Sequence, residues 1–399
     1  MSAPHAGRAW LVVLGGVAAA VHVGKLPPAI PVLRDALGLT LVEAGFLLSL
    51  VQFAGMTLGL LAGLAADSLG LKRTMVAGLW IVGGASVVGG WADGAAGLLV
   101  LRGIEGFGFL LASMPAPGLI RRLVPPDRMS TMLGVWGAYM PFATALALLC
   151  GPAWMAWTGW PGWWWLLGGF SLLMAAWLGQ ALPPDPVQSP TAAHDWVGRI
   201  GQTLAARGPW LVAAAFGVYS AQWLSVIGFL PSIYLAAGIA PASAAAGTAL
   251  AAAVNMVGNL ASGRLLQRGF TARRLMSIGF LTMGFASVIA FSPLLGPPES
   301  GALLRYLAVL AFSAVGGMIP GTLFSLAVRL APSERTVSTT VGWMQQWSSL
   351  GQFLGPPLVA WVAARSGGWQ WSWLVTGGCA LGGLMLAGWT SRLPQVRGH

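Results

Sequence analysis

Arg122-Leu123-Val124-Pro125-Pro126-Asp127-Arg128 recurs as Arg329-Leu330-Ala331-Pro332-Ser333-Glu334-Arg335, about 200 residues further along. Each copy sets an Arg, a proline turn, an acidic residue and a second Arg between long apolar runs. Proline ends a helix rather than continuing it, so both stretches read as loops. Other echoes keep a similar offset: Gly151-Pro152 with Gly355-Pro356, Trp163 to Leu166 with Trp371 to Leu374, and a further one near Gly63 and Gly263. Apolar helices resemble one another by chance, but a matched polar loop between them marks an internal duplication.

Outward from these loops, apolar runs of about 20 residues or more recur along the chain, the length that a hydrocarbon core of about 30 Å demands of a helix. Of the 399 residues, 56% are hydrophobic and 8% charged, too few charges to cover a soluble surface of this size. The runs are continuous rather than alternating, which excludes a barrel. Expected spans are 9–32, 41–66, 74–92, 95–119, 130–156, 162–181, 209–235, 243–263, 274–294, 302–328, 336–363 and 371–391. Many of the 21 Trp residues lie near their ends, as at Trp10, Trp91, Trp160 and Trp369, where an aromatic belt belongs. The N-terminal run continues through Val32 and more spans follow, so it reads as a retained helix rather than a signal peptide. Pro183-Pro184-Asp185-Pro186 opens a polar stretch that reaches Gly208. The expected organisation is a six-helix bundle over 1–181, a cytoplasmic linker over 182–208 and a second six-helix bundle over 209–399.

The net charge of +11 has a topological cause. Arg8, Lys72, Arg73, Arg121, Arg122, Arg128, Arg199, Arg207, Arg264, Arg268, Arg273, Arg274, Arg329, Arg335, Arg392 and Arg397 fall on one side. Only Arg34, Arg305 and Arg365 fall opposite. That bias puts both termini in the cytoplasm and makes a nucleic-acid partner unnecessary. Cys150 and Cys379 stand alone in apolar runs and read as packing residues, with no metal-ligand or cofactor pattern around them. No nucleophile–base set or phosphate-binding loop argues for an enzyme or an ATP-driven pump.

Gly63-Leu64-Ala65-Ala66-Asp67-Ser68-Leu69-Gly70-Leu71-Lys72-Arg73 resembles the signature loop of the major facilitator superfamily. Leu101-Arg102-Gly103-Ile104-Glu105-Gly106-Phe107-Gly108 resembles that family's fourth-helix motif. The second-half copy of the loop, Gly263-Arg264-Leu265-Leu266-Gln267-Arg268-Gly269, carries Gln267 where the Asp would stand. Cys150-Gly151-Pro152-Ala153 lacks the glycine pair of drug antiporters, and the chain is loosely similar to the cyanate- and nitrate-type small-anion permeases. The resemblance implies an all-α membrane fold of twelve helices in two bundles related by a pseudo-two-fold axis. It also implies a conformational latch in the signature loop. There Gly63 and Gly70 permit close approach and a tight turn, and a carboxylate at Asp67 is favoured by the start of the third helix. Arg128 is its first candidate partner, and Lys72 and Arg73 enforce topology as well.

Ionisable residues inside a span are costly, so they are the first functional candidates. His22 and Lys25 lie three residues apart on the first span, and Arg102 and Glu105 three apart on the fourth. Lys25 and Arg102 both fall about 10 Å deep at about 1.5 Å per residue. The resemblance implies that spans one, four, seven and ten line a central cavity, across which the two pairs would face each other. Lys25 and Arg102 are then candidates to bind an anionic or polar solute, with Glu105 and His22 as proton-coupling groups. Arg102 with Glu105 also reads as an ion pair that fixes helices one and four, and His22 as a hydrogen-bonded packing residue. Pro27 and Pro28 open the helix beside Lys25. The second half offers only neutral candidates: Tyr219, Gln222 and Trp223 on the seventh span, Asn255 on the eighth and Gln346 on the eleventh. Pro115, Pro117, Gly316, Gly317 and Pro320 are candidate bending points. The leading expectation is a monomeric, proton-coupled secondary transporter of a small anionic or polar solute in a bacterial inner membrane. A multidrug or metabolite exporter and a non-transporting membrane sensor are the alternatives.

Overall fold

The computed structural model describes residues 4–125, 132, 135–185, 196–296 and 301–393, with the side chains of 4–6, 63–68, 295, 335 and 338 excepted. Helices account for every regular element among these residues. Ten helical stretches are long and apolar enough to cross a membrane. One of them, Tyr139–Ala181, turns at Gly159 (φ 72°) and so makes the fifth and sixth spans. Val337–Ser366 supplies the eleventh, giving the twelve spans expected. Gly159 adopts a left-handed conformation that a side chain would strain, and Pro161 follows it, so the expected loop shrinks to a single turn. Large apolar side chains such as Leu173, Phe285 and Leu381 are exposed, a face that suits lipid and not water.

Several spans are broken where the sequence withholds a backbone bond. The first runs Pro4–Gly24 and Leu26–Leu37, interrupted at Lys25 just before Pro27 and Pro28. The second begins with a capping box, in which Thr40 Oγ1 accepts from Glu43 N at 3.2 Å and Thr40 N donates to Glu43 Oε2 at 2.8 Å. It then tightens through a 3-10 turn at Leu50–Gln52 before Phe53–Leu69. The fourth divides into Ala95–Ser113 and Ala116–Leu123 around Met114 and Pro115, and the tenth into Ala302–Gly316 and Met318–Leu330 around Gly317. Both breaks fall at expected bending points.

Within the first half, the first span packs on the fifth and sixth, and the third on the fourth. In the second half the seventh packs along the eleventh, and the ninth on the tenth and twelfth. Gly78 and Gly108 let the third and fourth spans touch backbone to backbone: a Cβ on Gly78 would lie 2.4 Å from Ala112 N. Between the halves, the second span lies along the eleventh, the eighth against the fifth, and Leu26–Leu37 against the seventh.

The expected linker at 182–208 is not uniformly irregular. Trp196–Ala205 is a helix, and the seventh span already starts at Arg207. Trp196, Val197, Ile200 and Leu204 share one face at helical spacing, which supplies the apolar stripe that an interfacial helix needs.

Candidate functional site: a buried charge cluster in the first bundle

The break in the first span sets Lys25 where its side chain reaches the third, fourth and sixth spans. Its Nζ donates to Glu105 Oε1 and, at 2.9 Å, to Ser86 Oγ. The ammonium also sits 4.4 Å from the centroid of the Trp164 ring. One turn earlier in the fourth span, Arg102 binds the other carboxylate oxygen of Glu105 through Nη1. The same Nη1 donates to His22 O at 2.8 Å, and Nε donates to Leu47 O at 3.1 Å. Each oxygen of Glu105 therefore holds a different cation.

The hydroxyls fix the protonation of His22. Ser171 Oγ donates to Ala18 O at 3.0 Å, so it accepts at 2.8 Å from His22 Nε2. Nδ1 faces Lys25 Nζ at 3.4 Å, and an ammonium can only donate, so Nδ1 is here the acceptor. In this arrangement the imidazole is neutral. The cluster comprises two cations and one anion, leaving an excess of one positive charge with side chains 0–1% exposed. Arg102 Nη2 has no partner among the described residues. A buried, unpaired guanidinium nitrogen is costly, so it is the atom in this cluster most disposed to take a further acceptor.

The four ionisable residues thus come together in one cluster. Their partners Leu47, Ser86, Trp164 and Ser171 belong to the second, third and sixth spans, so the charges turn into the first bundle. The physical reason is that a charge in an apolar medium takes whatever dipoles and counter-ions it can reach. Ser86 and Ser171 were missed in the sequence. Their one signal is a hydroxyl in the middle of an apolar run.

The second half builds a neutral counterpart. Asn255 Nδ2 donates to Tyr219 OH and to Ser313 O, both at 2.9 Å, while Trp223 Nε1 donates to Ser313 Oγ at 3.2 Å. Asn259 Nδ2 donates to Asn255 Oδ1 at 2.9 Å. Tyr219, Trp223 and Asn255 therefore converge around Ser313 of the tenth span. Gln222 is fully buried; its Nε2 donates to Val218 O at 3.3 Å and its Oε1 has no partner among the described residues.

Gln346 stands apart from this group, at the seam between the halves. Its Nε2 donates to Met56 O at 2.8 Å and its Oε1 accepts from Leu60 N at 3.0 Å. Met56 O and Leu60 N are four residues apart, so the amide clips onto one rung of the second helix's backbone. Gly59 makes the approach possible, since a Cβ there would lie 3.2 Å from Gln346 Cβ. Nearby, Gln52 Nε2 donates to Gln352 Oε1 at 3.1 Å across the same seam.

At the cytoplasmic side, a carboxylate does occupy the start of the third span, and it is Asp185. Lys72 N donates to its Oδ1 at 3.0 Å and Arg73 N to its Oδ2 at 3.1 Å. Arg122 Nη1 lies 3.4 Å from Oδ1, and Lys72 Nζ donates to Leu182 O at 2.6 Å. Gly70, at φ 96°, leaves the space: a Cβ there would lie 2.3 Å from Asp185 Oδ2. Gly63 lies within the helix Phe53–Leu69, whereas the Asp67 side chain and Arg128 lie outside the described residues.

Twelve spans in two packed bundles, with polar clusters buried in each, define a polytopic membrane transporter of the two-bundle type. The family model of the Major Facilitator Superfamily matches residues 12–356, and the chain belongs to that family. It is 30% identical over 142 residues to the uncharacterized MFS-type transporter Rv1250 of Mycobacterium tuberculosis (35% of this chain, 24% of that protein). It is 28% identical over 302 residues to human monocarboxylate transporter 11 (70% of this chain, 60% of that protein). The chain thus spans less than two thirds of either relative. Among solved structures, a bacterial homolog of the human lysosomal transporter Spinster, inward-facing and unoccupied, superposes with a TM-score of 0.76 at 16% identity, covering 100% of this chain and 98% of that one. A D-xylose-proton symporter does so with 0.76 at 17% identity, covering 98% of each. At such identities the likeness is one of fold.

Proposed function

We propose that this transporter moves a small anionic solute, a carboxylate foremost, by alternating access and in company with a proton. The observation that carries the reading is the buried Lys25–Glu105–Arg102 cluster with its excess positive charge and the unpartnered Arg102 Nη2. While Glu105 is ionised it occupies both cations. A proton on Glu105 releases them, and two buried cations without a counter-ion favour an entering anion. Proton and anion then each strengthen the other's binding, since coupling between two ligands is reciprocal. That linkage drives symport rather than exchange. Likeness to a relative named as a monocarboxylate transporter supports a carboxylate as the anion. Tyr219, Trp223 and Asn255, gathered around Ser313, are the second half's candidates for the solute's neutral part. We place the chain, as a monomer, in a bacterial inner membrane.

The test is uptake of a panel of labelled small carboxylates into proteoliposomes with an imposed pH gradient. Gradient-driven accumulation should be lost in Glu105→Gln while counterflow persists, because the neutral amide mimics the protonated state. Accumulation by Glu105→Gln equal to that of the parent protein would refute the coupling role.

A further inference from the structure

A cleft of about 670 Å³ opens where the seventh span begins and the twelfth ends, lined by Leu204, Arg207, Trp210, Leu211, Trp389 and Arg392 among others. Arg207 starts the helix Arg207–Ala236 and Arg392 follows the end of Ser372–Thr390, so both stand at the same membrane boundary. Neither side chain has a hydrogen-bond or ion-pair partner among the described residues, and both are exposed. The cleft's lining carries no acidic residue. Its walls are apolar, and Trp210 and Trp389 are 40% and 53% exposed. Trp210 is held in place, its Nε1 donating to Leu204 O at 2.8 Å.

We propose that this cleft is a binding site for one anionic phospholipid of the cytoplasmic leaflet. Arg207 and Arg392 take the headgroup phosphate from two sides, and the Trp and Leu walls take the glycerol region and the first acyl carbons. Two guanidinium forks suit a phosphate oxygen set better than point charges would. Basic pockets between helices on the cytoplasmic side are where charged headgroups seat. The dipole of the seventh span, whose N-cap Ala206 offers no side-chain cap, adds positive potential at the same place. The helix Trp196–Ala205 extends the surface: Trp196 and Val197 are exposed apolar residues that lie naturally in the interface beside the headgroup. A soluble anion would use the two arginines and leave these apolar walls without a role, which is why the lipid is the occupant.

Native mass spectrometry of the full chain, purified from nanodiscs of phosphatidylcholine with phosphatidylglycerol, reads the site directly. One phosphatidylglycerol should be retained preferentially, and Arg207→Gln with Arg392→Gln should weaken its retention by on the order of tenfold. The control pair Arg273→Gln with Arg329→Gln removes the same charge from exposed cytoplasmic positions and should change retention less than about twofold. Equal loss in the control pair would mean general surface electrostatics and would overturn the site. Equal retention of phosphatidylcholine would overturn it as well. Displacement of the lipid by millimolar inorganic phosphate would reassign the arginines to a soluble anion and overturn the lipid assignment. Monodisperse elution of both variant pairs guards against misfolding as the cause.

Discussion

Lys25, Arg102 and Glu105 allow the stability of the first bundle to be ordered by charge alone. With His22 neutral, the parent cluster carries one excess positive charge. Glu105→Gln keeps the shape but leaves two cations, and breaking a buried pair by removing one partner costs about 3–5 kcal/mol. Lys25→Met instead leaves Arg102 with Glu105, a neutral pair, although it removes the bond to Glu105 Oε1 together with the contacts to Ser86, His22 and Trp164. Ser86 remains satisfied, because its hydroxyl still donates to Trp164 O at 2.9 Å. That substitution should therefore cost less than Glu105→Gln, because no buried charge is left without a counter-ion. The double variant Lys25→Met with Glu105→Gln returns to a single unpaired cation and should be more stable than Glu105→Gln alone. Thermal unfolding in detergent, followed by the fluorescence of the buried tryptophans, gives the order. The parent should unfold highest, then Lys25→Met, then the double variant, and Glu105→Gln lowest. If Lys25→Met unfolds as low as Glu105→Gln, or the double variant lower still, charge balance is not what holds the cluster.

Asp185→Ala should lower the unfolding temperature by the loss of two charge-assisted bonds to backbone N–H groups and a favourable helix-end charge, about 2–3 kcal/mol together; Asp185→Asn should fall between. Equal melting of all three proteins would show that the carboxylate carries none of this. Gln346→Leu removes the clip between the eleventh span and the backbone at Met56 and Leu60, so it should shift the balance between inward- and outward-open states by a few-fold. Distances between spin labels on the two halves read that balance, and an unchanged distribution would rule the clip out as a determinant of it.

The spans were legible because the bilayer imposes one length and one composition on every membrane helix, whatever its neighbours. The break at Lys25 was legible for a similar reason, since Pro27 and Pro28 act locally on the helix that contains them. Asp185 was not. Its place among three prolines signals a chain that leaves a helix, and nothing local says that the carboxylate then folds back onto the N–H groups of Lys72 and Arg73. The helix Trp196–Ala205 hid behind Gly198 and Gly201, which lower helix propensity, and became a helix through its packing beside the seventh and eleventh spans.

The direction of the charges was the deeper omission. Helical spacing puts His22 on one face with Lys25, and Arg102 on one face with Glu105, but a face has neighbours on both flanks. Two outcomes were open, a cavity lined with cations or a cluster closed within one bundle. What decides between them is the supply of acceptors. Glu105, the Ser86 hydroxyl and the carbonyls of His22 and Leu47 lie within reach inside the first bundle, whereas the second half contributes no ionised group to any of these contacts. Desolvated cations go where acceptors are. The same bonds tie the cluster to the seam between the halves: Arg102 holds Leu47 O on the second span, three residues before the 3-10 turn that carries Gln52. Gln52 in turn reaches Gln352 of the eleventh span. A cluster whose partners lie within one bundle is thus joined by hydrogen bonds through a single helix to the surface where the two halves meet.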